Sequence, residues 1–208
     1  MRDGVHVRQT LSRGRKVTSS MDRRMNQYGS CLIVLAEWKE PVYSREGVRL
    51  VTSSWRRNSP QCVDSKIHHN NLINNILAKI EANAAGADDA LMLDLEGYLA
   101  ETNATNVFVV RGEEIQTPHA DYCLPGITRG VVLKMARDHG VAALEKRISL
   151  SEVYAADEFF TTGTMGELTP ALEVDGRVIG CGNPGPLTRR LQGWYDELTA
   201  RTGEPLPF

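Results

Sequence analysis

The chain has little of what marks several large protein classes. Cysteine is scarce: Cys31, Cys62, Cys123 and Cys181 lie far apart and form no C-x-x-C pair. Neither a disulfide framework nor a zinc site is signalled, and a reducing, cytoplasmic setting is expected. No run approaches the roughly 18 apolar residues of a membrane-crossing helix. The longest candidate, Cys31 to Trp38, already carries Glu37. No sign of charge dominates, since 24 Lys and Arg stand against 26 Asp and Glu for a net charge of -2. The chain therefore lacks the overall basic field that captures nucleic acid. What is present is an ordinary globular composition, 208 residues of which 41% are hydrophobic and 24% charged, long enough for one large domain or two small ones.

The first stretch is Arg-rich and acid-poor. Arg2, Arg8, Arg13, Arg15, Lys16, Arg23 and Arg24 face only Asp3 and Asp22, a bias shared with organelle transit peptides. Against that, Val5, Val7, Gln9 and Leu11 alternate with His6, Arg8, Thr10 and Ser12, the period of a half-buried strand rather than of a targeting helix. Apolar, β-branched runs over 30–37 and 47–53 predict two more strands. Residues 54–65 are polar without an apolar period, and the main boundary is expected there. This gives 1–53 as the rest of a small N-terminal domain, 54–65 as a link and 66–208 as a large domain.

Past the link, Leu72, Ile73, Ile76, Leu77 and Ile80 repeat at helical spacing, with Gly86 as a stop. Strands are expected over 90–94, 105–110, 114–117 and 159–162. A helix over 130–139 is closed by Gly140, and Ser149-Leu-Ser-Glu152 has the spacing of a capping box. A hairpin turns at Asp175-Gly176, and a last helix covers 186–201. The class is α+β.

Several motifs carry little chemistry. Gly180-Cys-Gly-Asn-Pro-Gly185 matches a dinucleotide fingerprint, but no strand with a ribose-binding acid follows, so it reads as a hairpin-to-helix turn. Asn103-Ala-Thr105 is a glycosylation triplet, and it is expected to carry no function in a cytoplasmic chain. His68, His69, His119 and His139 lack a closed metal spacing, and no metal site is expected. Three features weigh more. Lys66 sits where a polar link meets an apolar helix, a place where a lysine can be partly buried and lose its proton, although a surface lysine is the ordinary case. Leu124-Pro-Gly-Ile-Thr128 offers free amides at a helix start, a ready anion site or a plain cap. Gly163-Thr-Met-Gly-Glu-Leu-Thr-Pro170 offers further amides and hydroxyls, or is a structural loop.

Taken in order, Asp64-Ser-Lys66-Ile-His-His-Asn-Asn-Leu-Ile, Gly97-Tyr-Leu-Ala-Glu101-Thr-Asn-Ala-Thr-Asn-Val-Phe, Leu124-Pro-Gly-Ile-Thr-Arg129 and Thr162-Gly-Thr-Met-Gly-Glu-Leu-Thr-Pro170 resemble successive blocks of the class IV pyridoxal-phosphate aminotransferases. That group includes branched-chain aminotransferases, D-amino-acid transaminases and aminodeoxychorismate lyases. The resemblance implies the D-amino-acid-aminotransferase-like fold of fold type IV, with the large C-terminal domain complete and the small N-terminal domain truncated. It implies pyridoxal 5'-phosphate as cofactor, with Lys66 as the lysine that forms the imine and Glu101 as the partner of the pyridine nitrogen. Gly126, Ile127 and Thr128, with Gly163 and Thr164, match the residues that hold the cofactor phosphate. Asn71 stands where branched-chain enzymes carry a tyrosine near the cofactor hydroxyl, and His68 and His69 replace a common glycine pair, narrowing the mouth of the site. Arg8 or Arg13 is expected to meet the substrate carboxylate, and Met165 to line the substrate.

The implied reaction moves an amino group between a branched-chain or similar amino acid and a 2-oxo acid, in two strokes through Lys66, in a homodimer. D-amino-acid transamination, suggested by Ser12-Arg13-Gly14, and lyase cleavage of aminodeoxychorismate are the alternatives, and a truncated, inactive remnant is a further one. Relatives start well upstream, so Met1 is read as an internal methionine.

Overall fold

Alternation at the start of the chain builds a two-stranded ribbon. In the computed structural model, which describes residues 4–205, β1 (Val5–Ser12) pairs antiparallel with β2 (Cys31–Trp38), from Val5 opposite Trp38 to Ser12 opposite Cys31. Met1 lies outside the described residues. Every residue of β2 is exposed. The ribbon belongs to a first compact unit that ends at Pro41, and a second begins at Val42.

The second unit runs β3 (Val48–Thr52), α1 (Ile73–Ala84), β4 (Asp89–Leu93), β5 (Leu99–Thr102), β6 (Asn106–Arg111), β7 (Glu114–Thr117), α2 (Ile127–Asp138), β8 (Ala142–Glu145), α3 (Leu150–Tyr154), β9 (Glu158–Gly163), β10 (Glu167–Val174), β11 (Arg177–Val178) and α4 (Pro186–Thr202). One sheet takes the order β5-β4-β3-β10-β9-β6-β7-β8, with β11 on β10. The boundary falls at Pro41/Val42 and not within 54–65. The physical reason is β3, which was expected in the small domain but is hydrogen-bonded in parallel on both sides, to β4 and β10. The parallel step from β3 to β4 crosses over through α1, as parallel neighbours require.

Strands β6 and β9 are buried on both faces, because helices cover one side and packed apolar groups the other. Val107, Val109 and Phe159 join a cluster with Leu50, Leu91 and Val153. The alternate residues Phe108, Val110 and Phe160 join Val132 of α2 and Leu187 and Leu191 of α4, as the two-residue period of a strand dictates. The Phe108 and Phe160 rings stack with centroids 4.9 Å apart.

Helix α1 departs from the expected pattern. It starts at Ile73, not at Lys66, and turns Ile73, Ile76 and Ile80 outward, while Ala78 and Ala82 pack on Ala90 and Met92 of β4. Local polar bonds hold residues 64–72 outside the helix, with a turn at 65–66: Asp64 Oδ1 accepts from the Lys66 amide at 2.9 Å, and His69 Nδ1 from the Asn71 amide at 3.1 Å. Such bonds compete with helix formation. The segment after β9 also differs. Only 164–166 is a turn, and β10 then forms, bonding antiparallel to β9 through Pro170 and parallel to β3 from Ala171.

Three local expectations hold. The hairpin turns at Asp175 and Gly176, with φ of 54° and 73°, and the Ser149/Glu152 capping box is formed. The glycine-rich 180–185 segment is the turn from β11 to α4. Its helix start is already filled, since the Glu158 carboxylate accepts from the Leu187 and Thr188 amides at 2.9 and 2.7 Å. Among the described residues no helix is long and apolar enough to cross a membrane, and no group of three or more His, Cys, Asp or Glu is placed to hold a metal.

Candidate functional site

The β4–β5 hairpin sets the first group in place. Asp94 Oδ1 accepts from the amides of Glu96 and Tyr98, both at 2.9 Å, which closes the turn so that Glu101 falls opposite Met92. There Glu101 is only 6% exposed, and a buried carboxylate needs partners. Its Oε1 lies 2.9 Å from Arg57 Nη2, and its Oε2 accepts from the Leu124 amide at 3.3 Å and from Asn106 Nδ2 at 3.4 Å. Burial pushes the Glu101 carboxyl up to about 7, while the positive charge of Arg57 and the Leu124 amide pull the other way. Beside it, burial and the negative charge of Glu101 push the Cys123 thiol up to about 12. Cys123 therefore stays a thiol at neutral pH and is no nucleophile.

Arg57 went unseen in the sequence, because a polar link without an apolar period gives no sign of burial. Its backbone amide donates to the Leu93 carbonyl at 2.8 Å, and the side chain is 6% exposed. Besides Glu101, the guanidinium donates to Ser65 Oγ at 2.9 Å, Asn74 Oδ1 at 2.9 Å, Asn75 Oδ1 at 3.0 Å and the Tyr122 carbonyl at 3.4 Å.

Glu101, His68, Ala104 and Leu124 form the shared wall of two adjoining cavities of about 210 and 200 Å³. The first extends to Ser65 and Asn75. The second extends to Gly126, Ile127 and Thr128 on one side and to Thr162, Gly163 and Thr164 on the other. Here α2 begins with Gly126 as N-cap and no side chain bonded to the cap, so its first amides have no carbonyl within the helix. Gly126 is required by close approach, since a Cβ would stand 2.1 Å from Asn106 Oδ1. Thr162 is 2% exposed and its hydroxyl has no partner. Helix-start amides and an orphaned buried hydroxyl around one cavity make a cradle for an anion.

The remaining expected site residues are more scattered. Lys66 is 46% exposed at its side chain, with Nζ 3.7 Å from Asp121 Oδ1, and it is not in the wall of either cavity. Its neighbour Ser65, however, shares Arg57 with Glu101. Asn71 is exposed and also stands outside both walls. Met165 lies in the turn before β10, its carbonyl accepting from the Val42 amide at 3.2 Å. Arg8, in β1, and Arg13, just beyond it, are exposed residues of the first unit.

Known proteins match this arrangement. The family described as Amino-transferase class IV matches residues 2–174. The chain is 59% identical over 208 residues to branched-chain-amino-acid aminotransferase-like protein 2 of Arabidopsis thaliana, covering all of this chain and 37% of that protein. It is 43% identical over 174 residues to the branched-chain-amino-acid aminotransferase of Pseudomonas aeruginosa, covering 81% of this chain and 57% of that one. The crystal structure of the branched-chain amino acid aminotransferase from Thermobaculum terrenum in PLP-form (holo-form) superposes with a TM-score of 0.83 at 29% identity, covering 93% of this chain and 64% of that chain. The chain thus spans less than two thirds of the length of each of these relatives.

Proposed function

The chain belongs to the class IV aminotransferase family, and on that footing we propose that its second unit holds pyridoxal 5'-phosphate and that the whole protein moves an amino group between a branched-chain or similar amino acid and a 2-oxo acid. One observation carries the reading. The buried carboxylate of Glu101 and the anion cradle of α2 and Thr162 border the same cavity, matching a ligand with a basic ring nitrogen and a phosphate. The solved relative in its PLP-form supports it.

The residues present fit that group. The amides of Ile127, Thr128 and Gly163, with the hydroxyls of Thr162 and Thr164, would hold its phosphate, and Glu101 its ring nitrogen. When bound, the cofactor supplies an electron sink for the charge left on the substrate Cα. Glu101, as a carboxylate, keeps the proton on the ring nitrogen. Lys66 is the residue of covalent attachment. Its four-carbon stem would let the amine swing from Asp121 toward the cavity, and as a free amine Nζ would be the base that takes the Cα proton. The amino group would stay with the protein after the first 2-oxo acid leaves and before the second binds, which would make the exchange ping-pong, and the homodimer of the family is part of this reading.

The test is the visible absorption spectrum of the protein with added pyridoxal phosphate, followed by borohydride reduction and peptide mapping. A new band with the label on Lys66 is the expected result. No band, or label spread over surface lysines, overturns the assignment.

A further inference from the structure

We propose that Arg57 is a positioning residue of this site, whose buried guanidinium fixes the Glu101 carboxylate toward the cavity and anchors the residue preceding Lys66 to the same frame. The inference rests on the reading above and deepens it. Arginine carries five N–H donors in a rigid fork and keeps its charge at any physiological pH. Here the fork meets acceptors from separate segments: Nε meets the Tyr122 carbonyl, Nη1 meets Asn74 and Asn75 of α1, and Nη2 meets Ser65 and Glu101.

The bond to Glu101 Oε1 completes the hold on a carboxylate whose Oε2 already accepts from Leu124 and Asn106. The plane of the carboxyl group is thereby set. Because Ser65 Oγ takes another donor of the same fork, the backbone at Lys66 and the Glu101 carboxylate are referred to one rigid group. A need for stability does not explain such a pair, since a buried ion pair is often no more stabilising than well-packed apolar side chains. A need to keep one carboxylate ionised and aimed does explain it.

The experiment is a double-mutant cycle read in pyridoxal phosphate affinity by absorbance, using the wild type, Arg57→Gln, Glu101→Gln and the double variant. Thermal midpoints and circular dichroism show that each is folded, and Arg57→Lys takes the place of Arg57→Gln if the latter does not fold. Loss of an outer partner that orients a metal ligand typically weakens affinity about 10- to 100-fold, and by analogy Arg57→Gln alone is expected to weaken cofactor affinity about 10-fold or more. In the Glu101→Gln background it is expected to change affinity by less than about twofold, as coupled groups do. Arg57→Lys, which keeps the charge and loses the fork, is expected to restore part of the loss. At saturating cofactor, the pH midpoint of its visible band is expected to move in Arg57→Gln and no further in the double variant. His68 and Cys123, the titratable neighbours of Glu101, stay in place throughout. A wild type that takes no pyridoxal phosphate overturns the functional reading and this inference together. A wild type that binds while the two losses simply add overturns this inference alone.

Discussion

Thr162→Val is expected to move stability and cofactor affinity in opposite directions. Valine exchanges the hydroxyl for a methyl group of similar size and suits a strand, so the pairing of Thr162 with Asn106 and Leu168 is kept. Thr162 is 2% exposed and its hydroxyl has no partner, and a buried unpaired group of this kind costs about 1–3 kcal/mol. The protein without cofactor is therefore expected to hold its stability or to gain up to about 2 kcal/mol. On the proposed function the same hydroxyl would meet the charged phosphate, a bond that contributes about 1.5–3 kcal/mol. Its loss is expected to raise the dissociation constant for pyridoxal phosphate about 10- to 150-fold. Urea denaturation of the cofactor-free protein and an absorbance titration measure the two effects. A valine protein that loses more than about 1 kcal/mol, or that binds as tightly as the wild type, refutes the argument that this hydroxyl waits for a phosphate.

Two further outcomes follow from single groups. Burial raises the Glu101 carboxyl from 4.5 to about 7, so between those values the folded state binds a proton that the unfolded state has lost. The contribution of Glu101 to cofactor-free stability is fully present below pH 4.5 and is lost as pH rises through about 7, by up to about 3 kcal/mol. Glu101→Gln is expected to remove that decline in denaturation measured at about pH 5 and about pH 8, and an unchanged decline would count against the assignment. Ser149→Ala breaks the capping box that opens α3 and is expected to cost about 1 kcal/mol in thermal unfolding, with a change near zero disproving the cap.

Local signals were legible where the chain itself supplies them. The alternation from Val5 to Ser12, the Asp175-Gly176 turn and the Ser149-to-Glu152 spacing each gave the element that the structure contains. Elements that depend on distant partners were not legible. The stretch Gly166 to Pro170 looks like a loop by composition, yet β10 forms because β9 and β3 both stand ready to pair with it. The isoleucines of α1 advertised a core face, but the close fit against β4 belongs to Ala78 and Ala82. Within the candidate site, the family resemblance grouped Glu101, Gly126, Thr128, Gly163 and Thr164, and these residues border one cavity. The direction of the Lys66 amine and the burial of Arg57 are set by Asp121 and by acceptors from several segments, which no local pattern encodes.

The change of partner within β10 has a mechanical consequence. Its first half is bonded to β9, which carries Thr162 and Gly163, and its second half to β3. Beyond β3 the chain stays bonded to β4 through the amides of Ser53 and Arg57, and β4 in turn pairs with the strand bearing Glu101. One continuous lattice of main-chain bonds thus spans from Thr162 and Gly163 to Glu101 at the other end of the cavity. The separation of the two ends is therefore set by the register of the sheet, and a change of register in β3 or β10 would alter the length of the cavity between them.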